Sequence, residues 1–148
     1  MDPRTLGDAE IRDLRILAGT MIPASANYGV PGADDALIFD DILRSLDRDF
    51  DDARAALAHL ATLSGGSYAA LAPDRRAEVA ATFKREGGAP LFALNRVVLL
   101  CYYRDDRVMR SLGQEPRSPF PKGHIVEQGD WSLLDPVKAR SPIWRKVS

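Results

Sequence analysis

Apolar side chains recur at spacings of three and four residues through positions 1–113, which is the pattern of helices that bury one face. In the first such segment, Ile11, Leu14, Leu17 and Met21 form one stripe, and Pro23 ends it because proline cannot continue the hydrogen-bond ladder. The first helix is predicted from about 8 to 21, and the second begins at 34 or 35 and carries an apolar stripe that continues to 50. Further helices are predicted from 51 or 52 to 63, from 73 to 86 and from 91 to 103, and a short one after 105 or 106.

The segment 91–103 is the most apolar part of the chain and carries apolar residues on nearly every side. Such a helix is normally buried against several neighbours, so Val97, Leu100 and Cys101 are predicted to be among the most buried residues. A strand is excluded because ~14 residues without a turn signal exceed its ordinary length. No segment alternates with period two. The pattern therefore predicts an all-α fold, a compact bundle of four to six helices over residues 1–113.

The chain changes character over residues 114–148, which contain five prolines and no amphipathic repeat. Only a short turn of helix around 131–137 fits this composition. Both tryptophans lie here among other apolar residues in which disordered tails are poor, so the segment needs a surface on which to bury them. We predict an extended Pro-rich C-terminal arm across a partner; the alternative is an arm folded back over its own bundle. The predicted interface residues are Phe120, Trp131, Leu133, Leu134 and Trp144, with Lys122, Lys138, Arg140 and Arg145 at the rim against an acidic surface.

Composition removes several classes of function. The 148 residues include 20 Lys+Arg and 21 Asp+Glu, so no basic excess is present to bind nucleic acid. No stretch approaches the ~20 apolar residues of a membrane span. The N-terminus lacks a basic region followed by an apolar one, so no export signal is predicted and a cytoplasmic location is expected. A periplasmic location would require a removed signal or export with a partner.

The polar residues form no recognisable catalytic pattern, and we expect no catalytic, metal-binding or cofactor-binding residues in this chain. The acidic run 47–52 resembles the start of a calcium-binding loop. However, Asp52 lies where the loop requires glycine, and Ala58 lies where it requires the final glutamate. His59 lacks a ligand partner three or four residues on, and His124 lacks a base or nucleophile. Cys101 lies in an apolar helix, where a free cysteine acts as a small hydrophobe. No strand followed by a glycine-rich turn is predicted, so flavin binding by this chain alone is not expected.

Several motifs, taken in their order along the chain, resemble one family. They are 17–24 (LAGTMIPA), a Pro-Gly loop, an acidic helix at 34–46, 102–108 (YYRDDRV) followed by 112–113 (LG), and the closing 119–123 (PFPKG) and 129–136 (GDWSLLDP). The set resembles the gluconate 2-dehydrogenase subunit 3 family, the small subunits of flavin-dependent sugar dehydrogenases.

The resemblance implies a non-catalytic small subunit that stabilises and assists the folding of a large glucose-methanol-choline-type flavoprotein. FAD would then lie in the large subunit, and electrons would pass to a cytochrome c or another acceptor protein. Many members of the family carry a twin-arginine export signal, which this sequence lacks. Two alternatives remain open: a stand-alone helical binding or regulatory module whose tail folds on its partner, and an enzyme that uses His124 or Asp130 with the tail aromatics.

Overall fold

The computed structural model describes residues 4–116 and 127–141, and within them it is all-α, as predicted. The helices are α1 Asp8–Met21, α2 Ala36–Arg44, α3 Phe50–Ser64, α4 Pro73–Glu86, α5 Gly88–Tyr103, α6 Asp106–Ser111 and α7 Asp135–Lys138. Two 3-10 turns, Asp47–Asp49 and Trp131–Leu134, precede α3 and α7. The described residues contain no strand, only an isolated bridge between Ser25 and Val30.

The chain divides into two units, residues 1–116 and 117–148. Helices α1 to α6 belong to the first unit, within the predicted range of four to six. In the second unit, the 3-10 turn and α7 occupy the stretch for which the sequence allowed a short turn of helix. The unit boundary lies shortly after the predicted one at 113/114.

Most helix ends follow from local sequence chemistry. Pro73 opens α4, where its missing N–H costs nothing, and Gly65 ends α3 in the left-handed conformation at φ 68°. The predicted stripe from 34 to 50 is one continuous pattern, yet the helix breaks after Arg44. Asp47 has a φ of 22°, which an uninterrupted helix does not allow. The chain then re-enters helix at Phe50.

The core of the first unit is built around α3, which packs against α1, α4 and α5, while α5 also contacts α2 and α6. Leu14, Ile42, Leu60, Leu94 and Val98 are fully buried and come from four different helices. Burial of each such side chain contributes about 1.5–3 kcal/mol to the free energy of unfolding, so these five side chains help to hold the helices together. The first unit thus has a closed core of its own.

One prediction for α5 is wrong. Val97 and Cys101 are buried as expected, but Leu100 exposes 59 % of its surface. Helix α5 packs its buried side on α2, α3 and α6, and its opposite side carries apolar residues that face outward. An apolar residue on every side of a helix therefore did not mean burial on every side.

Candidate partner-binding surface

A row of exposed apolar side chains runs along α5. Phe92, Leu99 and Tyr103 are spaced by seven and four residues, so they lie on one side of the helix. Phe92 is 72 % exposed and Tyr103 53 %, with Leu99 and Leu100 similarly open. Single exposed apolar residues are ordinary, whereas a contiguous group marks a binding surface. We name this surface the α5 face; it consists of Phe92, Asn95, Arg96, Leu99, Leu100 and Tyr103.

The α5 face and Arg104 together line a shallow depression of about 620 Å³. Two of its residues, Asn95 and Leu99, also line a groove of about 450 Å³ between α1, α4 and α5. The other residues of this groove are mainly apolar; they are Leu17, Thr20, Met21, Ile22, Ala80, Ala81, Phe83, Lys84 and Leu91. The two depressions therefore adjoin and form one continuous, largely apolar surface.

The direction of α5 is set by the sharp junction with α4. Gly87 ends α4 and Gly88 begins α5 with a φ of 53°, a conformation that favours glycine. A Cβ at Gly87 would lie 2.5 Å from the Leu91 Cβ and 2.9 Å from the Phe83 carbonyl oxygen. The glycine pair therefore lets the two helices meet without a connecting loop, which presents the α5 face beside the groove.

Arg96 within the α5 face and Arg104 beside it are each paired with a less exposed carboxylate. Arg96 donates to Asp49, and its side chain is 36 % exposed against 13 % for the aspartate. Arg104 donates to both Asp41 oxygens at 2.6 and 2.7 Å and to the Ser45 hydroxyl at 2.6 Å. The Arg104 hydrogen bonds hold the pKa of Asp41 below its ordinary value. In both pairs the guanidinium is the more accessible partner, so each pair turns its cation towards the surface while the carboxylate balances its charge.

A second ion-pair network anchors the far end of α5 through α6. Arg107 donates to Asp35 at 2.7 Å and to Asp105 at 3.0 Å. Asp35 also caps α2 by accepting from the Leu37 N–H, and Asp105 caps α6 by accepting from the Arg107 N–H. The Arg107 hydrogen bonds lower the pKa of both carboxyls. One guanidinium thereby joins two capped helix starts that lie far apart in sequence.

The residues 102–108 that carry part of the family resemblance have structural roles here. Tyr102 donates its hydroxyl hydrogen to the Pro31 carbonyl at 3.2 Å and so fastens the loop between α1 and α2. Asp105 and Arg107 belong to the capping network described above. This motif thus joins the end of α5 to the loop before α2 and to the start of that helix.

The residues with possible chemical roles lie apart. Cys101 is buried, and burial raises the pKa of its thiol. His59 is half-buried, with its ring centroid 5.8 Å from that of Phe83. Asp130 accepts from the Ser132 N–H at 3.0 Å and caps the 3-10 turn. Over residues 4–116 and 127–141, no three His, Cys, Asp or Glu side chains are grouped as a metal site. His124 lies outside the described residues.

Three of the five predicted interface residues belong to the described part of the second unit. Trp131, Leu133 and Leu134 lie in its 3-10 turn, and all are exposed, Trp131 by 62 %. Phe120 and Trp144 fall outside the described residues, as do Lys122 and Arg145. Of the predicted rim cations, Lys138 pairs with Asp135 at 3.3 Å and Arg140 is exposed.

Sequence reasoning missed the α5 face. Its signal was present as the apolar stretch 91–103, which carries more apolar side chains than one buried stripe needs. We interpreted the surplus as burial within the bundle, whereas the structure places it on the outside.

The fold and this surface define an all-α protein with exposed apolar residues in each of its two units. None of the helices in the described ranges combines the length and apolarity that crossing a bilayer requires. Comparison of the chain with protein-family models, with curated proteins and with solved structures finds no match. The family resemblance therefore stays a prediction.

Proposed function

We propose that this chain is the non-catalytic small subunit of a heteromeric oxidoreductase. It binds a large FAD-dependent sugar or glycoside dehydrogenase subunit and assists its folding. The α5 face carries this proposal, because it offers a partner four large apolar side chains beside an apolar groove. The exposed Trp131 and its neighbours in the second unit provide another surface for the same partner.

The α5 face can supply enough free energy for a specific contact. Covering a large apolar side chain contributes up to about 1.5–3 kcal/mol, and the α5 face offers four. Aromatic residues such as Phe92 and Tyr103 often dominate interface energies. The ordering of groups on association offsets part of this gain, so only a surplus remains as affinity. Two binding surfaces on one chain also raise the effective concentration of the second once the first has bound.

In this proposal the FAD and the oxidation of the sugar belong to the large subunit. Electrons leave that subunit for a cytochrome c or another acceptor protein. The complex works in the cytoplasm, or in the periplasm where a partner supplies the export signal. The role of this chain is to cover and stabilise apolar surface of the flavoprotein.

Coexpression tests the proposal. The chain and a glucose-methanol-choline-type flavoprotein from the same source are produced together and each alone. The chain and any complex are purified through a tag on the chain, and the flavoprotein alone is purified through a tag of its own. We expect a complex with flavin absorbance, and a flavoprotein that aggregates or loses FAD when the chain is omitted. A flavoprotein that folds, keeps FAD and turns over equally well alone, and does not copurify, contradicts the proposal.

The closed core of the first unit favours one alternative, a stand-alone helical binding or regulatory module. Fully buried residues from α1, α2, α3 and α5 already pack together without a partner. The same coexpression separates the two functions. A monodisperse, helical chain that never associates with a flavoprotein supports the module.

A further inference from the structure

We infer that the α5 face binds an acidic amphipathic helix of about three turns, with its carboxylates opposite Arg96 and Arg104. The assignment of this helix to the large flavoprotein subunit rests on the proposed function. The surface itself indicates the chemistry and shape of what it binds.

The spacing of residues along α5 indicates the shape of the bound partner. Positions 92, 96, 99 and 103 are separated by four, three and four residues, which is the spacing of a helix–helix seam. At 1.5 Å per residue the seam extends about 17 Å, or three turns. Leu100 lies to one side of the seam and Asn95 to the other, beside the groove. A straight seam of this length matches the apolar face of another helix.

The residues that line the two depressions indicate the charge of the bound partner. The only charged residues among them are Arg96, Arg104 and Lys84, and all three are cations, although the chain as a whole has a net charge of −1. Arg96 donates to Asp49 through Nη2, and a guanidinium has five N–H donors, so donors remain for a further carboxylate. Acidic residues beside the apolar positions of the bound helix would complete these interactions.

The same charges argue against two other occupants. A second copy of the chain placed face to face would bring Arg96, which lies near the middle of the seam, towards its own counterpart. Residues 117–148 contain six basic and three acidic side chains, so their charge does not complement a lining whose charged residues are cations. An acidic helix from a different protein avoids both conflicts.

Site-specific photo-cross-linking tests the inference in the chain of residues 1–148, coexpressed with the same flavoprotein. Phe92 and Leu99 are replaced in turn by p-benzoylphenylalanine, and the captured peptides are sequenced. Tyr28, which is 75 % exposed in the loop after α1, serves as the control position. We expect both α5 positions to capture one segment of another protein, at sites three to eight residues apart, with apolar residues at helical spacing and an excess of Asp and Glu. Tyr28 should capture at least tenfold less.

The charge requirement is tested by Arg96→Gln combined with the cross-linker at Leu99. We expect the yield to fall about fivefold, and a comparable fall when salt is raised from about 0.05 to 0.5 M, since salt screens exposed charges. Arg12→Gln, an exposed arginine of α1, should leave the yield unchanged. Circular dichroism confirms that each variant keeps its helix content.

The outcomes separate this inference from the proposed function. Cross-links to a second copy, to residues 117–148, to a basic or non-helical segment, or to nothing overturn the inference. If the flavoprotein copurifies but is captured only through Trp131, the proposed function stands and the inference fails. If an acidic helix of a protein without flavin is captured, the inference stands and the proposed function fails.

Discussion

Asp13 holds the turn between α3 and α4 against α1, and its removal is the sharpest test of the first unit. It is the one charged residue buried in the described part of the chain, at 6 % exposure. Its Oδ1 accepts from the Ser67 hydroxyl and from the Ala69 N–H, both at 2.8 Å. The perturbation is Asp13→Ala, which removes the acceptor of both donors at once.

The magnitude follows from these two contacts. A hydrogen bond to a charged group contributes about 1.5–3 kcal/mol, so two give roughly 3–6 kcal/mol before any compensation. Ser67 and Ala69 are only half-buried, so water recovers part of this loss. We expect Asp13→Ala to lower the free energy of unfolding by about 2–3 kcal/mol. Asp13→Asn keeps an oxygen acceptor of the same shape and should lose about 1 kcal/mol, as should Ser67→Ala.

Urea unfolding followed by circular dichroism measures these differences. Arg12→Ala, an exposed neighbour on the same helix, is the matched control and should change stability by less than about 0.5 kcal/mol. The expected order of stability is wild type, then Asp13→Asn, then Asp13→Ala. Asp13→Ala and Arg12→Ala of equal stability would refute the reasoning, because the buried carboxylate would then contribute nothing.

Three further predictions concern other parts of the first unit. Arg107 lowers the folded-state pKa of Asp35 and Asp105, so these carboxylates stabilise the fold above about pH 4 and lose that contribution as the pH falls below it. Arg107→Gln should therefore flatten the dependence of the unfolding free energy on pH between about 5 and 2. Cys101 exposes only 1 % of its surface and burial raises the pKa of its thiol, so a thiol reagent at about pH 8 should label native protein much more slowly than urea-unfolded protein. Equal rates would contradict this. Gly87→Ala should cost about 1–3 kcal/mol, measured by urea unfolding, because its Cβ collides with neighbouring atoms. Gly7→Ala, whose Cβ would meet only Glu10 Oε2 at 3.6 Å, is the control and should cost less.

Local signals in the sequence predicted much of the fold. The bounds of α1 and α4 were predicted correctly, because an apolar stripe and a terminator or a first-turn proline coincide at their ends. The break at 45–49 was not predicted, since Ile42, Leu46 and Phe50 keep helical spacing across it and all three are buried. An apolar stripe indicates which side chains face the core. A 3-10 turn can interrupt the helix and still keep the following apolar side chains on the same side.

The candidate site depended on information that local patterns do not contain. The pairing of Arg107 with Asp35 joins residues 72 positions apart and becomes visible only in the folded chain. The apolar surplus of α5 was visible, but apolarity shows only that a side chain favours leaving water. Whether the same chain or another protein removes that water is decided by the packing of the whole bundle, which leaves Phe92, Leu99 and Tyr103 outside.

The central claim is that the α5 face binds the large flavoprotein subunit, and quantitative copurification tests it most directly. Wild type, Leu99→Ser/Tyr103→Ser and the control Tyr28→Ser/Leu37→Ser are each coexpressed with the flavoprotein; the control removes two exposed apolar residues outside the α5 face. Flavin absorbance per mole of tagged chain is then measured. We predict that Leu99→Ser/Tyr103→Ser retains less than about a tenth of the wild-type flavin, which corresponds to a loss of at least ~1.4 kcal/mol of binding free energy. The control should retain nearly all of the wild-type flavin. Equal flavin in all three preparations would contradict it.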